Sequence, residues 1–393
     1  MALFTDTAAW VSTEHRLYAD GVQRFMEQSM APNIESWCDQ GVVDRDFWFQ
    51  AGEAGIMGAS VPEAYGGAGA DLSFEAITIY TQAYLADINW GYGIQSIVMH
   101  YLVAYGTEDQ KRRWLPKLVS GELVSAIAMT EPGCGSDLKA VASTAKRDGD
   151  SYVINGSKTF ITNGQTAELI CVVVKTDLAA GSKGTSLIFV ETDQAQGFQR
   201  GRNLKKLGMK GNDTSELFFE DVRVPVDNLL GGIEGQGFYQ LMNQLVWERS
   251  MIGITALGAM DCGLQQTIEY VRQRKAFGQP IMAFQNTRFK LAEMKTKVEV
   301  TRSFINDCIA KLIDGSIDPA TASMAKYWGS QVQNEVLDEA LIGVSVSDGI
   351  HAAVVLAVNS KMVRAYRKGG ETIEIVGDGL SFVEEFLNKA GVG

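Results

Sequence analysis

The sequence has 393 residues, of which 46% are hydrophobic and 21% are charged, and its formal net charge is −12. This length is too great for one ordinary hydrophobic core, so two or three domains are expected. The negative charge argues against a general affinity for nucleic acid, because phosphate binding needs clustered Lys and Arg. The five cysteines are dispersed and the three histidines lack metal-ligand spacing, so a disulfide scaffold, a metal site and a His-based catalytic triad are disfavoured.

The first third of the chain has a helical pattern. Long segments over 72–86 and 93–105 follow a glycine-rich interruption at 62–70. Thr107 precedes two acidic residues and a glutamine, so it is expected to cap the start of a helix. Residues 1–120 are therefore predicted to form an N-terminal α-helical domain.

Short β-like runs separated by turns come next, which predicts a small β-barrel or sandwich domain over 121–235. Turns are expected at Asp148-Gly149, Asn155-Gly156 and Asn163-Gly164, since these pairs favour the backbone angles of tight turns. The β-like runs cover 152–154, 159–162, 169–174, 186–190 and 216–220.

Helical periodicity returns at Gly237 and is interrupted at 278–280 and 314–319. This pattern predicts a C-terminal four-helix bundle over 236–393, with an atypical part at 341–393. The predicted fold class is thus α+β, with a helical domain on each side of a β domain. No apolar run approaches the roughly 18 residues that span a membrane, and no basic segment followed by an apolar one is visible at the start. We expect a cytoplasmic protein without a membrane span.

An apolar run at 126–129 leads into a loop that contains Pro132, Gly133 and Gly135. Glycines let backbone N–H groups come close to a flat polar ligand, because no Cβ holds the ligand away. These residues alone leave open a plain turn, in which the hydroxyls of Thr130 and Ser136 bond to their own backbone.

The string from Met129 to Asp137, Met-Thr-Glu-Pro-Gly-Cys-Gly-Ser-Asp, resembles the flavin-binding signature of the acyl-CoA dehydrogenases. The resemblance extends over about 46–340 and is nearest to the long-chain and isovaleryl branch. It implies that FAD is the cofactor and that Ser136 also contacts the acyl-CoA substrate. The cofactor contacts that it implies in this segment are Ile127, Ala128, Met129, Thr130, Gly135 and Ser136.

The triplet Phe160-Ile161-Thr162 lies on a β-like run, where alternation puts Phe160 and Thr162 on the same face. From these residues alone, a core Phe and a surface Thr are the natural interpretation. The family has an aromatic-Ile-Ser/Thr triplet along its flavin ring. The resemblance therefore implies that Phe160, Ile161 and Thr162 contact FAD.

Glu248 lies in an apolar helical segment, where desolvation raises the pKa of a carboxyl, as a base that removes a carbon-bound proton requires. A surface Glu paired with a neighbouring Lys or Arg is the alternative. The long-chain and isovaleryl branch carries its catalytic base on this helix, so the resemblance implies that Glu248 is the base. It also implies substrate contacts along the helix at Tyr239, Val246, Trp247 and Arg249.

The segment that begins Arg274-Lys-Ala-Phe-Gly, with Gln285 eleven residues after the Arg, resembles a second family string. Without the family, Arg274 is a helix-end cation and Gln285 a surface amide. The resemblance implies that both reach the FAD of a neighbouring subunit, and a guanidinium suits its diphosphate. A homotetramer, arranged as a dimer of dimers, is therefore expected.

Ser182 and Lys183 lie in a polar loop that is expected to be exposed to solvent, and the resemblance places this loop near the CoA moiety. After Ala340 the family pattern is lost, because a Val-rich stretch stands where the family has Gln-x-x-Gly-Gly-x-Gly-Tyr. Gly369 and Gly370 alone keep a family-like register at the substrate. True divergence with weaker cofactor binding and a disturbed reading frame near codon 341 are both open, and sequencing the gene across that point distinguishes them.

The function that the resemblance implies is α,β-dehydrogenation of an acyl-CoA to a trans-2-enoyl-CoA, as in fatty acid β-oxidation. A long acyl chain is preferred, and the electrons pass to an electron-transferring flavoprotein. Three alternatives stay open: a branched- or short-chain acyl-CoA dehydrogenase, a flavin monooxygenase or oxidase on the same scaffold, and an inactive paralogue.

Overall fold

The structure is a computed structural model, and it describes residues 8–85 and 88–344. The first part of the described chain is helical. Its packing is dominated by buried aromatic side chains, among them Trp37, Trp48 and Trp114. Its α-helices are α1 (Thr13–Phe25), α2 (Ile34–Gln40), α3 (Arg45–Glu53), α4 (Leu72–Tyr84), α5 (Tyr92–Tyr105) and α6 (Glu108–Val119).

Helix α6 begins where the sequence predicts. The Thr107 hydroxyl accepts a hydrogen bond from the Gln110 backbone N–H (3.3 Å), and the Gln110 side chain accepts one from the Thr107 backbone N–H (3.0 Å). This reciprocal pair satisfies two backbone groups at the N-terminal end of the helix. The predicted cap at Thr107 is confirmed.

A β-sheet follows in the middle of the chain. Its strands are β1 (Ser125–Ala128), β2 (Thr144–Asp148), β3 (Ser151–Thr162), β4 (Leu169–Lys175), β5 (Thr185–Glu191), β6 (Phe198–Asn203) and β7 (Thr214–Pro225). They lie in the order β1-β4-β2-β3-β7-β6, and β5 pairs with β4. Strand β1 runs parallel to β4, whereas β5 runs antiparallel to it.

Strand β4 is buried along its whole length and contributes to two cores. Because side chains alternate between the faces of a strand, Ile170 and Val172 join the core of the β domain, whereas Cys171 and Val173 join the core shared with the helices. Strand β4 therefore carries Cys171 to the side where the helices pack.

Two of the three predicted turns are confirmed. Gly149 (φ 59°) lies between β2 and β3, and Asn163 (φ 63°) follows the end of β3. The predicted turn at Asn155-Gly156 is wrong, because β3 continues through both residues with a shift of register. Glycine is required here, since a Cβ at Gly156 would collide with Ser143. The pair forms a bulge instead of reversing the chain.

The last part of the described chain is again helical, with α7 (Gly237–Gln273), α8 (Gln285–Ile313) and α9 (Pro319–Val344). A short hairpin of β8 (Lys275–Ala276) and β9 (Gln279–Pro280) separates α7 from α8. Both predicted interruptions of the helical pattern are thus confirmed, and so is the fold class of helices, sheet and helices. Any further helix of the predicted bundle lies outside the described residues.

Helix α7 packs against α9, α8 and α4, so it connects the two helical regions. A partly buried polar cluster ties three of these helices together: Asp261 of α7 accepts hydrogen bonds from Tyr80 of α4 (2.6 Å) and from Arg302 of α8. Among residues 8–85 and 88–344, no helix is both long enough and apolar enough to cross a membrane.

Candidate active site

Glu248 lies in the first third of α7, where its side chain is partly buried. Its Oε1 accepts a hydrogen bond from the hydroxyl of Tyr101 on α5 (3.0 Å). Burial raises the pKa of Glu248 to about 7, although the Tyr101 hydrogen bond and the charges of Arg249 and Lys326 oppose the rise. The hydrogen-bond partner of Glu248 is thus a tyrosine. The alternative left open by the sequence was a surface Glu paired with a neighbouring Lys or Arg.

The segment from β1 into the glycine loop passes from buried to exposed. Ile127 and Ala128 are buried, Met129 and Thr130 are half-buried, and Gly135 and Ser136 are exposed. The Thr159 backbone N–H donates to the Thr130 carbonyl oxygen (2.9 Å), so the loop lies directly beside the end of β3. The structure thus brings together the two segments for which the resemblance implies contact with FAD.

A buried ion pair anchors the loop. The Lys158 ammonium donates to Glu131 Oε1 (2.8 Å) and to the carbonyl oxygens of Met129 (3.2 Å) and Val173 (2.7 Å). Burial lowers the pKa of Lys158, and Glu131 opposes that shift; burial alone would raise the pKa of Glu131, but its hydrogen bonds hold it below the usual value. Sequence reasoning missed this pair, because a Glu beside a Pro gives no local signal of a buried partner.

Phe160 has the geometry of a functional position. Its φ angle is 59°, which is strained for a large residue, and 66% of the residue is exposed on a stretch of β3 where the register shifts. The two residues that follow are less accessible, since Ile161 is buried and Thr162 is half-buried. A core position for Phe160, the natural interpretation without the family, is excluded.

The exposed groups of these two segments fit a flavin. The Phe160 ring offers an exposed apolar flat surface, and Thr130 and Thr162 of the same two segments are half-buried residues that carry hydroxyls. A Cβ built at Gly133 or Gly135 would meet no atom within 4 Å, so the loop leaves its backbone open. An aromatic surface, hydroxyls and open peptide groups on two neighbouring segments suit a flat ring system with polar edges.

Glu248 is linked to this region through the sheet. In β1 and β4, Ile127 is paired with Cys171. Burial raises the pKa of the Cys171 thiol, and the charge of Glu248 adds to that rise. Tyr101 of α5 donates its hydrogen bond to Glu248, and α5 packs against β1. Helix α5 is fixed to the same strand, since Gln95 accepts a hydrogen bond from the Ser125 backbone N–H (2.7 Å). The proposed base therefore lies close to the strand that enters the glycine loop.

The start of α7 packs against the loop that holds Ser182 and Lys183. The Gly235 backbone N–H donates to the Ser186 hydroxyl (2.9 Å), and a Cβ at Gly235 would collide with the Lys183 carbonyl oxygen. Tyr239 is exposed in the first turn of this helix. The structure thus places Ser182, Lys183 and Tyr239 in one region.

A lysine that sequence reasoning missed lies at the same end of α7. The Lys139 ammonium is 6.0 Å from the centre of the Phe238 ring, which immediately precedes Tyr239. This geometry is within the range of a cation–π contact.

The other predicted substrate contacts on α7 have different surroundings. Trp247 is buried, and its indole N–H donates to the Ser96 hydroxyl (3.2 Å). Val246 is half-buried, and Arg249 donates to the Ser323 hydroxyl on α9 (3.1 Å). Direct contact of these three residues with a substrate stays a prediction.

Arg274 and Gln285 do not join the site around Glu248 within one chain. Arg274 follows the last residue of α7, and Gln285 is the exposed first residue of α8. Arg274 comes 26 residues after Glu248, which is about 39 Å along a helix that rises 1.5 Å per residue. Gly369 and Gly370 lie outside the described residues. In the described part of the chain, no group of three or more His, Cys, Asp or Glu side chains is placed to hold a metal ion.

Four family models match the chain. The model of the acyl-CoA dehydrogenase N-terminal domain matches residues 12–122, that of the middle domain 126–222 and that of the C-terminal domain 235–346. The model of the penicillin-binding protein OB-like domain matches residues 320–393. From 320 to 344 the chain forms most of α9, which agrees with a helical domain and not with the β-barrel of an OB-fold.

Relatives and solved structures agree with three of these matches. The chain is 44% identical over 328 residues to the mitochondrial long-chain specific acyl-CoA dehydrogenase of Rattus norvegicus, which covers 83% of this chain and 76% of that protein. It is 36% identical over 320 residues to the mitochondrial isovaleryl-CoA dehydrogenase of Solanum tuberosum, covering 80% and 76%. The crystal structure of an acyl-CoA dehydrogenase from Geobacillus kaustophilus superposes with a TM-score of 0.84 at 40% identity, covering 89% of this chain and 94% of that one. This chain belongs to the acyl-CoA dehydrogenase family of FAD-dependent oxidoreductases.

Proposed function

We propose that this chain catalyses the α,β-dehydrogenation of a long-chain acyl-CoA to the trans-2-enoyl-CoA, with FAD as its cofactor. Membership of the family supports this function. The observation that carries it is Glu248, a partly accessible carboxyl whose pKa is raised to about 7. It is hydrogen-bonded to Tyr101 on α5, the helix that is fixed to the strand entering the glycine loop. A base with a pKa near the operating pH is well suited to proton transfer from carbon.

In the proposed reaction, Glu248 accepts a proton from the α-carbon of the substrate while a hydride leaves the β-carbon. One C–H bond breaks at each carbon, and the double bond forms between them. Bound FAD supplies the acceptor for the hydride. The burial that raises the pKa of Glu248 also strengthens the carboxylate as a base, because little water is present to stabilise its charge.

The residues that would hold FAD are those of the glycine loop and of the end of β3. The exposed ring of Phe160 and the open backbone at Gly135 support this assignment. Arg274 and Gln285 would serve the FAD of a neighbouring subunit. The remaining proposed cofactor contacts are Ile127, Ala128, Met129, Thr130, Ser136, Ile161 and Thr162.

We assign substrate contacts around the N-terminal half of α7. Lys183 is exposed and carries the positive charge that the phosphates of CoA require. A long acyl chain is preferred because the long-chain relative is 44% identical and the isovaleryl relative 36%. A branched-chain substrate is the second candidate for the same reason. The remaining proposed contacts are Ser136, Ser182, Tyr239, Val246, Trp247 and Arg249.

An anaerobic titration of the FAD-loaded protein tests the function. We expect the absorbance band of oxidised flavin to bleach with palmitoyl-CoA, and at higher concentrations with isovaleryl-CoA. Subsequent addition of an electron-transferring flavoprotein should restore the band, because that protein is the proposed electron acceptor. Rapid restoration by oxygen alone would indicate an oxidase or monooxygenase. A protein that binds neither FAD nor acyl-CoA would be an inactive paralogue.

We further propose a homotetramer in which Arg274 binds the FAD of a neighbouring subunit. The separation of about 39 Å from Glu248 supports this arrangement, because one site does not extend so far along a helix. Arg274→Ala is expected to weaken FAD binding about tenfold or more, as loss of a hydrogen bond to a charged group does. Flavin fluorescence titration measures the affinity, and light scattering measures the assembly. Arg272→Ala, two residues earlier and exposed, is the control; equal affinity in both variants would contradict the proposal.

The cytoplasmic location expected from the sequence stays a prediction. The relatives named above are described as mitochondrial proteins, so the comparisons do not favour it. Fractionation of cells that express the full-length gene, followed by immunodetection of the chain, would decide between the two compartments.

A further inference from the structure

Tyr101 is fully buried, and its hydroxyl donates a hydrogen bond to Oε1 of Glu248 across the interface between α5 and α7 (3.0 Å). We propose that Tyr101 is the positioning residue of the base: its hydroxyl holds Oε1, so that Oε2 is the oxygen that accepts the α-proton. This inference rests on the proposed function, in which Glu248 removes that proton.

The tyrosine hydroxyl stays a donor over the whole working pH range. Burial raises the pKa of Tyr101 far above its ordinary value, and the charge of Glu248 raises it further. The proton of the hydrogen bond therefore belongs to Tyr101 whenever Glu248 is ionised. A fixed donor on one oxygen of a carboxylate restricts rotation of the group and leaves the other oxygen to react.

Helix α5 is held rigidly next to Tyr101. Glu75 of α4 is completely buried and accepts hydrogen bonds from Ser60 and Ser96, and His100 Nε2 lies 3.1 Å from its Oε1. Burial raises the pKa of Glu75, but His100 and the two serines outweigh that effect and lower it to about 2. His100 immediately precedes Tyr101, so this buried, hydrogen-bonded cluster fixes the backbone from which Tyr101 extends.

The same cluster also holds α7 beside Glu248. Trp247 donates to the hydroxyl of Ser96 (3.2 Å), which in turn donates to Glu75. The rings of Trp247 and His100 lie 5.4 Å apart between their centres. Both partners of the Tyr101–Glu248 hydrogen bond therefore follow directly after residues that are locked together, which keeps the bond length and direction constant.

The charges around Glu248 come from several elements. Arg249 on α7 and Lys326 on α9 lower its pKa, and Cys171 on β4 is a neutral neighbour because its own pKa is raised. Replacing Tyr101 with Phe removes one hydrogen bond that favours the carboxylate and leaves these groups in place. The pKa of Glu248 must then rise, so the base becomes protonated at higher pH.

The test compares Tyr101→Phe with Tyr105→Phe in the FAD-loaded protein. Tyr105 lies one turn further along α5, and its ring is 6.4 Å from that of Tyr101, so it controls for loss of a hydroxyl on this helix. For Tyr101→Phe we expect the acidic limb of the pH profiles of kcat and kcat/KM to move up by about one pH unit. We also expect kcat on the alkaline plateau to fall about tenfold, because Oε2 is less well placed. Tyr105→Phe should leave the acidic limbs and the alkaline plateau of kcat unchanged.

An infrared titration of the carboxyl provides a second readout that needs no turnover. The band of protonated Glu248 is identified by its absence in Glu248→Gln, and in Tyr101→Phe it should persist to higher pH. The proposal is supported if Tyr101→Phe raises the pKa of Glu248 in the infrared titration and also moves the acidic limbs of the kcat and kcat/KM profiles to higher pH. Two results would overturn it: a lower kcat on the alkaline plateau with unmoved acidic limbs, or an unchanged infrared pKa of Glu248. Tyr101 would then be a packing residue. If the wild-type protein turns over no acyl-CoA, the proposed function fails, yet the infrared titration still decides whether Tyr101 controls Glu248.

Discussion

Glu248→Gln is expected to lower kcat by about 10³-fold, the range that general base catalysis by one side chain provides. The amide has nearly the same shape as the carboxyl and still accepts the Tyr101 hydrogen bond, but it takes up no proton. The substrate should therefore bind while the flavin band stays unbleached. Stopped-flow absorbance under anaerobic conditions measures the rate of bleaching, and a titration followed by calorimetry measures the affinity for acyl-CoA.

The matched control for this variant is Glu269→Gln. Glu269 lies on the same helix but is exposed and pairs with Gln265. The Glu269→Gln variant should turn over acyl-CoA with the kcat of the wild-type protein. A Glu248→Gln protein that keeps more than about a tenth of the wild-type rate would show that another group removes the proton. That result would favour an oxidase or another chemistry on this scaffold.

Lys158→Met is expected to destabilise the protein by about 3–5 kcal/mol, the cost of leaving one partner of a buried ion pair alone. Lys158 is 1% exposed, and its ammonium holds Glu131 and two backbone carbonyl oxygens. Met fills a similar volume, so the loss reports the missing charge and not a cavity. Equilibrium unfolding in urea, followed by tryptophan fluorescence and by calorimetry, measures the change.

An exposed ion pair on the same sheet provides the control. Arg202 of β6 donates two hydrogen bonds to Glu216 of β7 (both 2.9 Å), and Arg202→Met should cost far less because water screens this pair. The double variant Lys158→Met/Glu131→Gln should recover part of the stability, since Glu131 is no longer a buried unpaired charge. If Lys158→Met and Arg202→Met lowered the free energy of unfolding equally, burial would not be the reason that the Lys158–Glu131 pair matters to stability.

Local sequence signals account for the elements that were predicted correctly. Thr107 and the pair Asp148-Gly149 act through contacts within three or four residues, so the identity of these side chains is sufficient. Asn155-Gly156 shows the limit of this reasoning. Whether Asn-Gly reverses a chain or forms a bulge depends on the strands beside it, and here β3 stays paired with β7 on both sides.

The site itself was predictable only where the residues or the family provided a signal. An acid in an apolar helix indicated a raised pKa, and Glu248 has one. Its partner Tyr101 lies 147 residues earlier in the chain, and Lys158 lies 27 residues after Glu131. No periodicity links such distant positions, because packing of the whole domain brings them together. Tertiary contacts, and not local patterns, therefore determine which polar groups surround the base.

Helix α7 is continuous over 37 residues, which is about 55 Å. With the roles proposed above, this one helix carries the base of its own subunit in its first third, and a cofactor ligand for the next subunit directly follows its last residue. The number of residues between Glu248 and Arg274 then sets both the distance between these two residues and their relative orientation around the helix axis. One inserted residue would turn Arg274 by about 100° and advance it by about 1.5 Å relative to Glu248, whatever side chain was added. Along this stretch, the number of residues therefore matters more to the two sites than the identity of the exposed side chains.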